Sequence, residues 1–149
     1  MKKIYDKLVK TRHHLHQYPE LSGQEYETTA FLSRYLQDLG IKILDSDLET
    51  GLIAEIGQGE PVIALRADID ALPIIEQTGL PYASQNPGVM HACGHDFHQT
   101  SLLGAAELLK AMEEDLQGTI RLIFQPAEET SQGASQVLAT GLLDDVVAI

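Results

Sequence analysis

The sequence has a single cysteine, Cys93, few basic residues and no long apolar run. One cysteine cannot close an intramolecular disulfide, so no disulfide framework holds this fold. Lys and Arg number 10 against 22 Asp and Glu, a formal charge of −12. That balance repels phosphate backbones and anionic lipid, which argues against nucleic acid or a membrane surface as partner. No stretch approaches the ~20 apolar residues that cross a bilayer. The basic start, Met1-Lys2-Lys3, meets Asp6 and Lys7 before any apolar segment forms. No signal peptide is read there, and the expected compartment is the cytoplasm. Internal repeats and low-complexity tracts are missing as well. What is present is 149 residues, 44% of them apolar, enough for about one globular domain with a buried core.

Periodicity divides the chain into alternating element types. Ile4, Leu8, Thr11 and Leu15 recur at helical spacing, which predicts a helix over 4–17 that Pro19 ends. Ser22 with Glu25 three residues on resembles a capping box for a second helix over 25–39, stopped by Gly40. Short strands are expected over 41–44, 52–56 and 62–66, the last two joined as a hairpin through Gly57–Glu60. Residues 71–94 are irregular and rich in Pro and Gly, a length of loop that is usually functional. A helix over 97–116, a buried strand over 119–124, a short helix over 133–139 and a strand from Val146 complete the pattern. The order ααβββαβαβ indicates an α/β fold with a mixed, partly parallel sheet flanked by helices.

Three clusters carry candidate chemistry. Arg66–Pro73 follows a buried strand, and Asp68 and Asp70, two apart, share one face of an extended backbone. Two carboxylates on one face repel unless a cation or a buried histidine sits between them. Met90–His98 packs a thiol, three imidazoles and a carboxylate into nine residues. Cys93 and His95 flank Gly94, whose backbone freedom lets both side chains turn to one ion. Thiolate and imidazole suit Zn²⁺ and similar borderline metals, and Asp96 is placed to orient a histidine. His98, at the helix start, reads equally as a cap or a packing residue. Phe124–Thr130 also follows a buried strand and presents Glu128 and Glu129. Adjacent side chains diverge, so one carboxylate can bind metal while the other takes a proton; alone, the pair reads as an acidic loop. Each cluster ends a strand or opens a helix, so all three can meet at one sheet edge. The combined set fits metal-assisted hydrolysis.

These motifs resemble the M20 metallopeptidase family, in the amidohydrolase branch of hippurate hydrolases, auxin-conjugate hydrolases, N-acyl-amino-acid deacylases and N-acetyldiaminopimelate deacetylase. The similarity starts at Arg12–Ser22, continues through Arg66–Pro73, and is strongest at His91–His98 and Pro126–Glu129. The resemblance implies that Cys93 bridges two metals, that His95 and Glu129 are metal ligands, and that Glu128 is the general base. Asp70 matches the aspartate that steadies the site, and Asp68 a position held by a ligand histidine in other branches. His13, His14 and His16 are expected to be structural. The implied cofactors are two divalent ions, Zn or Mn, with Co or Ni as further candidates. The implied substrate is a small N-acyl amino acid.

Members of the family are far longer. They carry two further ligand histidines and an inserted lid that forms a homodimer. By this resemblance, residues 1–149 are the N-terminal part of the metal-binding catalytic domain, without lid or C-terminal half. Such a piece is expected to be inactive alone and to self-associate through an exposed apolar sheet edge. Two other readings stand beside this one. A non-catalytic domain of the same fold would bind metal weakly. A cysteine nucleophile at Cys93 would need no metal, but it leaves Glu128 and Glu129 without a task.

Overall fold

The computed structural model describes residues 2–149. Helices α1 (Lys2–Gln17) and α2 (Tyr26–Asp38) precede strands β1 (Lys42–Ile43), β2 (Leu52–Gln58) and β3 (Val62–Asp68). Helix α3 (His95–Ala111), a 3-10 turn (Glu113–Asp115), β4 (Gly118–Gln125), α4 (Gly133–Ala139) and β5 (Val146–Ala148) follow. The element order read from periodicity is therefore the observed one, and the fold is α/β with a mixed sheet.

The five strands lie in the order β1-β2-β4-β3-β5. β1/β2 and β2/β4 pair antiparallel, and β3 pairs parallel with both β4 and β5. The hairpin expected between 52–56 and 62–66 does not form, because β4 inserts between its two arms. β4 is buried along nearly its whole length, and a strand covered on both faces belongs at the centre of a sheet. Its first residue is wedged into the space the hairpin would have closed. A Cβ on Gly118 would sit 2.3 Å from the Pro61 carbonyl, and one on Gly57 would sit 2.5 Å from the Gly118 carbonyl.

Alternation along the strands sends side chains to two cores. Leu52, Ala54, Ile56, Leu122 and Phe124 pack with Leu32, Leu36, Leu102, Leu103 and Ala106 of α2 and α3. Ile53, Ala64 and Ile123 face the other way, against Val137 of α4 with Leu142 and Leu143 beside it. Each large side chain buried in this way contributes about 1.5–3 kcal/mol. α1 rides on α3, so close that a Cβ on Gly104 would meet Leu8 Cδ1 at 2.8 Å.

Two helix starts differ from expectation. α2 begins at Tyr26, and Ser22 makes no cap. Glu20 caps the helix from outside instead: its carboxylate accepts the N–H groups of Glu27 (3.2 Å) and Thr28 (2.7 Å). Ser22 and Glu25 are drawn away to buried partners. α3 starts two residues earlier than predicted, at His95, after Gly94 with φ +85°. Its first turn therefore carries the chemistry of the His-rich segment.

Candidate metal centre

Parallel pairing places the carboxyl ends of β3 and β4 together. Asp68 is in register with Gln125, and the Ile69 N–H donates to the Gln125 carbonyl at 3.0 Å. The segments carrying Asp70 and the two glutamates thus leave one sheet edge side by side, where α/β folds collect ligands. The first turn of α3 enters the same space.

His95, 2% exposed, is the hub. Its Nδ1 lies 2.9 Å from the Asp70 carbonyl and 3.2 Å from Asp70 Oδ1. A carbonyl only accepts, so Nδ1 carries the proton and the neutral ring keeps its lone pair on Nε2. Nε2 faces Asp68 Oδ2 at 3.6 Å, Glu128 Oε2 at 3.8 Å and Glu129 Oε1 at 3.8 Å. Burial alone would lower the His95 pKa, but the Asp70 hydrogen bond and the charge of Asp68 raise it.

Asp70 ties three segments to this ring. Its Oδ2 accepts the Ser22 hydroxyl at 2.6 Å and the Glu129 N–H at 2.9 Å, while Oδ1 faces His95. Burial pushes its carboxyl upward, but the bonds from His95, Ser22 and Glu129 outweigh it and hold the pKa at about 2.

Cys93, His95 and Glu129 offer one ligand atom each, all within 4.8 Å of one another. Glu129 Oε1 is buried and has no hydrogen-bond partner. Desolvation raises the Cys93 pKa, as do the neighbouring carboxylates Glu129, Glu128 and Asp68. An orphan carboxylate oxygen, an imidazole lone pair and a thiol surrounded by negative charge fit a cation. A bound cation reverses the local electrostatics and favours the thiolate. Glu128 is the more exposed of the pair, with 40% side-chain accessibility against 20% for Glu129. A second set, Asp68, His95 and His98, shares the same imidazole. There Asp68 accepts from His98 Nδ1 at 2.6 Å and pairs with Arg66 at 3.2 Å.

A turn after β4 aims the two glutamates. Ala127 and Ser131 have positive φ, +47° and +59°. The Ser131 N–H donates to the Glu128 carbonyl, and the N–H groups of Gln132 and Gly133 donate to that of Ala127. Only glycine fits at 133, where a Cβ would lie 1.6 Å from the Pro126 carbonyl oxygen.

Several residues near the site find partners that the sequence pattern did not specify. Asp96, expected to orient a histidine, holds His16 and not the ligand-type His95. It accepts from His16 Nδ1 at 2.7 Å and pairs with Arg12 at 2.8 Å, while His16 Nε2 reaches Glu76 at 3.2 Å. Arg12 and His16 are four apart on α1, a spacing that puts both on one helix face and was the available signal. His13 stacks on Tyr82 and His14 packs against Phe31. His91 is buried with both ring nitrogens unpartnered, and burial lowers its pKa to about 4. Neither Ser22 nor Glu25 carried a pattern that would separate it from a helix cap.

A thiol, an imidazole and carboxylates converging at the carboxyl edge of a partly parallel sheet define an α/β domain with a candidate metal site. The chain belongs to peptidase family M20/M25/M40, whose profile matches residues 64–149. It is 59% identical over 144 residues to an N-acetyl-L-cysteine deacetylase of Bacillus subtilis, covering 95% of this chain and 35% of that protein. It is 55% identical to an N-acetylcysteine deacetylase of the same organism, covering 99% of this chain and 40% of the relative. The YXEP protein of Bacillus subtilis, a dinuclear metal binding peptidase of the M20 family, superposes with a TM-score of 0.95 at 54% identity, over 98% of this chain and 42% of that one. The chain thus spans between about a third and two-fifths of the length of these relatives.

Proposed function

We propose that this chain is the N-terminal part of the metal-binding catalytic domain of an amidohydrolase that cleaves N-acyl amino acids. The observation that carries the reading is the His95 imidazole. Its Nδ1 is locked to Asp70, and its Nε2 faces Glu128 and Glu129. The likeness to N-acetylcysteine deacetylases supports an acyl-amino-acid substrate.

Cys93, His95 and Glu129 would hold a divalent ion; the thiolate leans toward Zn, with Mn, Co and Ni as further candidates. Such ions supply Lewis acidity toward an amide carbonyl and acidify water within their reach. Likeness to a dinuclear metal binding peptidase supports a pair of ions, and Cys93 would be among the ligands that hold them. Further ligands would come from outside these residues, because each set here supplies only three donors. Asp70 keeps the His95 lone pair on Nε2. Glu128, exposed on the open side, accepts a proton from the attacking water and returns it to the departing amine nitrogen. Amide plus water then balances as carboxylic acid plus amino acid. A lid and a dimer contact, where present, lie outside residues 1–149.

Glu128→Gln, in a protein that carries the full ligand set, should lower turnover of N-acetyl-L-cysteine about 10²–10⁴-fold and leave metal content unchanged. Retained turnover would remove Glu128 from the general-base role. The 149-residue chain alone should show no turnover. Metal-dependent release of free cysteine by it would contradict that.

A further inference from the structure

We propose that Glu25 is a positioning residue for the candidate metal centre, holding the turn at Ala127 so that Glu129 is aimed at Cys93 and His95. The inference rests on the reading of those three residues as ligands.

Glu25 is 0% exposed. Its Oε1 accepts the Ala127 N–H at 2.8 Å, and its Oε2 accepts the Thr50 hydroxyl at 2.8 Å. A buried carboxylate is retained only where hydrogen bonds offset its desolvation. Here both bonds reach across the chain to the glutamate turn and the loop pressed against it. The same loop is clamped by Thr29, which accepts the Gly51 N–H at 2.8 Å and donates to the Glu25 carbonyl. At Gly51 even a Cβ would collide with Pro126 Cδ at 2.5 Å.

Ala127 has φ +47°, a conformation that residues other than glycine keep only when their surroundings impose it. Its carbonyl is held by Gln132 and Gly133, and its N–H is held by Glu25. Two residues on, the Glu129 N–H is held by Asp70. Glu25 and Asp70 therefore grip the turn at its two ends. Loss of the Glu25 grip lets Ala127 relax toward negative φ, which swings Glu129 away from the thiol and the imidazole.

The test is a Co²⁺ titration of a protein that carries the full ligand set, read by the thiolate-to-cobalt absorption that reports Cys93 ligation. Glu25→Ala should weaken Co²⁺ binding about 10–100-fold, the range for lost support of a metal ligand. Glu25→Gln, which still offers an acceptor oxygen, should stay near the parent. The double variant Glu25→Ala/Ala127→Gly should regain most of the affinity, because glycine adopts positive φ without help. Lower Tm is common to both roles, but a packing role alone would leave Co²⁺ affinity unchanged and give no rescue by glycine, and either of those two results overturns the proposal. If Glu25→Ala does not fold, Glu25→Met fills the same volume without an acceptor and is judged by the same loss and rescue. Absence of the thiolate band in the parent chain would instead overturn the ligand reading, and the positioning role would fall with it.

Discussion

At His95 the two ring nitrogens face different groups, and Asp70 decides which of them keeps the proton. The same carboxylate makes stability depend on pH. Its folded pKa of about 2 lies below the ordinary 3.8. The stabilisation is therefore complete above pH 4 and is lost as pH falls through about 2. His91 is depressed too, from 6.5 to about 4. Its contribution is present above pH 6.5 and is lost as pH falls through 4, because the unfolded ring takes up a proton that the buried ring refuses. Urea midpoints of the metal-free chain should thus fall in two stages, between pH 6.5 and 4 and again below 4. His91→Gln should flatten the first stage and Asp70→Asn the second. A profile identical to the parent in either variant removes that residue as the cause. Ligand-type residues such as Cys93 and His95 were legible from donor chemistry and spacing. Ser22 was not, because a serine hydroxyl serves a nearby helix N–H or a distant carboxylate equally well. Here the distant carboxylate, Asp70, wins.

Among elements, β4 and the turn after it decide most. Its β-rich run marks it as a strand, yet not its neighbours, since alternation specifies faces and not partners. The 52–56 and 62–66 arms had hairpin spacing, but a third, more fully buried strand took the space between them. The turn carrying Glu128 and Glu129 has no room at Gly133, where a Cβ would lie 1.6 Å from a backbone oxygen that cannot move alone. Gly133→Ala should lower stability by about 1–3 kcal/mol, the usual range for forced overpacking. It should also loosen the Glu129 N–H to Asp70 bond. Thermal unfolding reads the first effect and amide exchange at Glu129 the second. A parent-like Tm would show that the turn shifts freely.

Across the whole molecule, acidic excess and site chemistry act together. A formal charge of −12 and four carboxylates around one imidazole are repulsions that a bound cation would relieve. A ligand at 100 times its Kd stabilises the native state by about 2.7 kcal/mol. At this size that corresponds to roughly 5–10 °C in Tm. Zn²⁺ should raise Tm by that order, chelator should reverse the rise, and Cys93→Ser should shrink it. An equal rise in Cys93→Ser would place the bound ion elsewhere. Among the described residues, no helix is long and apolar enough to cross a membrane. Val147 on β5 is 70% exposed, so that strand leaves an apolar edge in water.

The sequence by itself determined the element types, the two-faced burial pattern of the strands and which segments carry the candidate residues Cys93, His95, Glu128, Glu129 and Asp70. These follow from periodicity and from what each side chain can bind, and both are local properties. Tertiary structure alone decided that β4 separates β2 from β3, that Asp96 serves His16 while Asp70 serves His95, and that Glu25 reaches across 102 positions to Ala127. Those choices are competitions between distant groups for the same buried partner. Only the packed molecule brings the competitors within reach of one another.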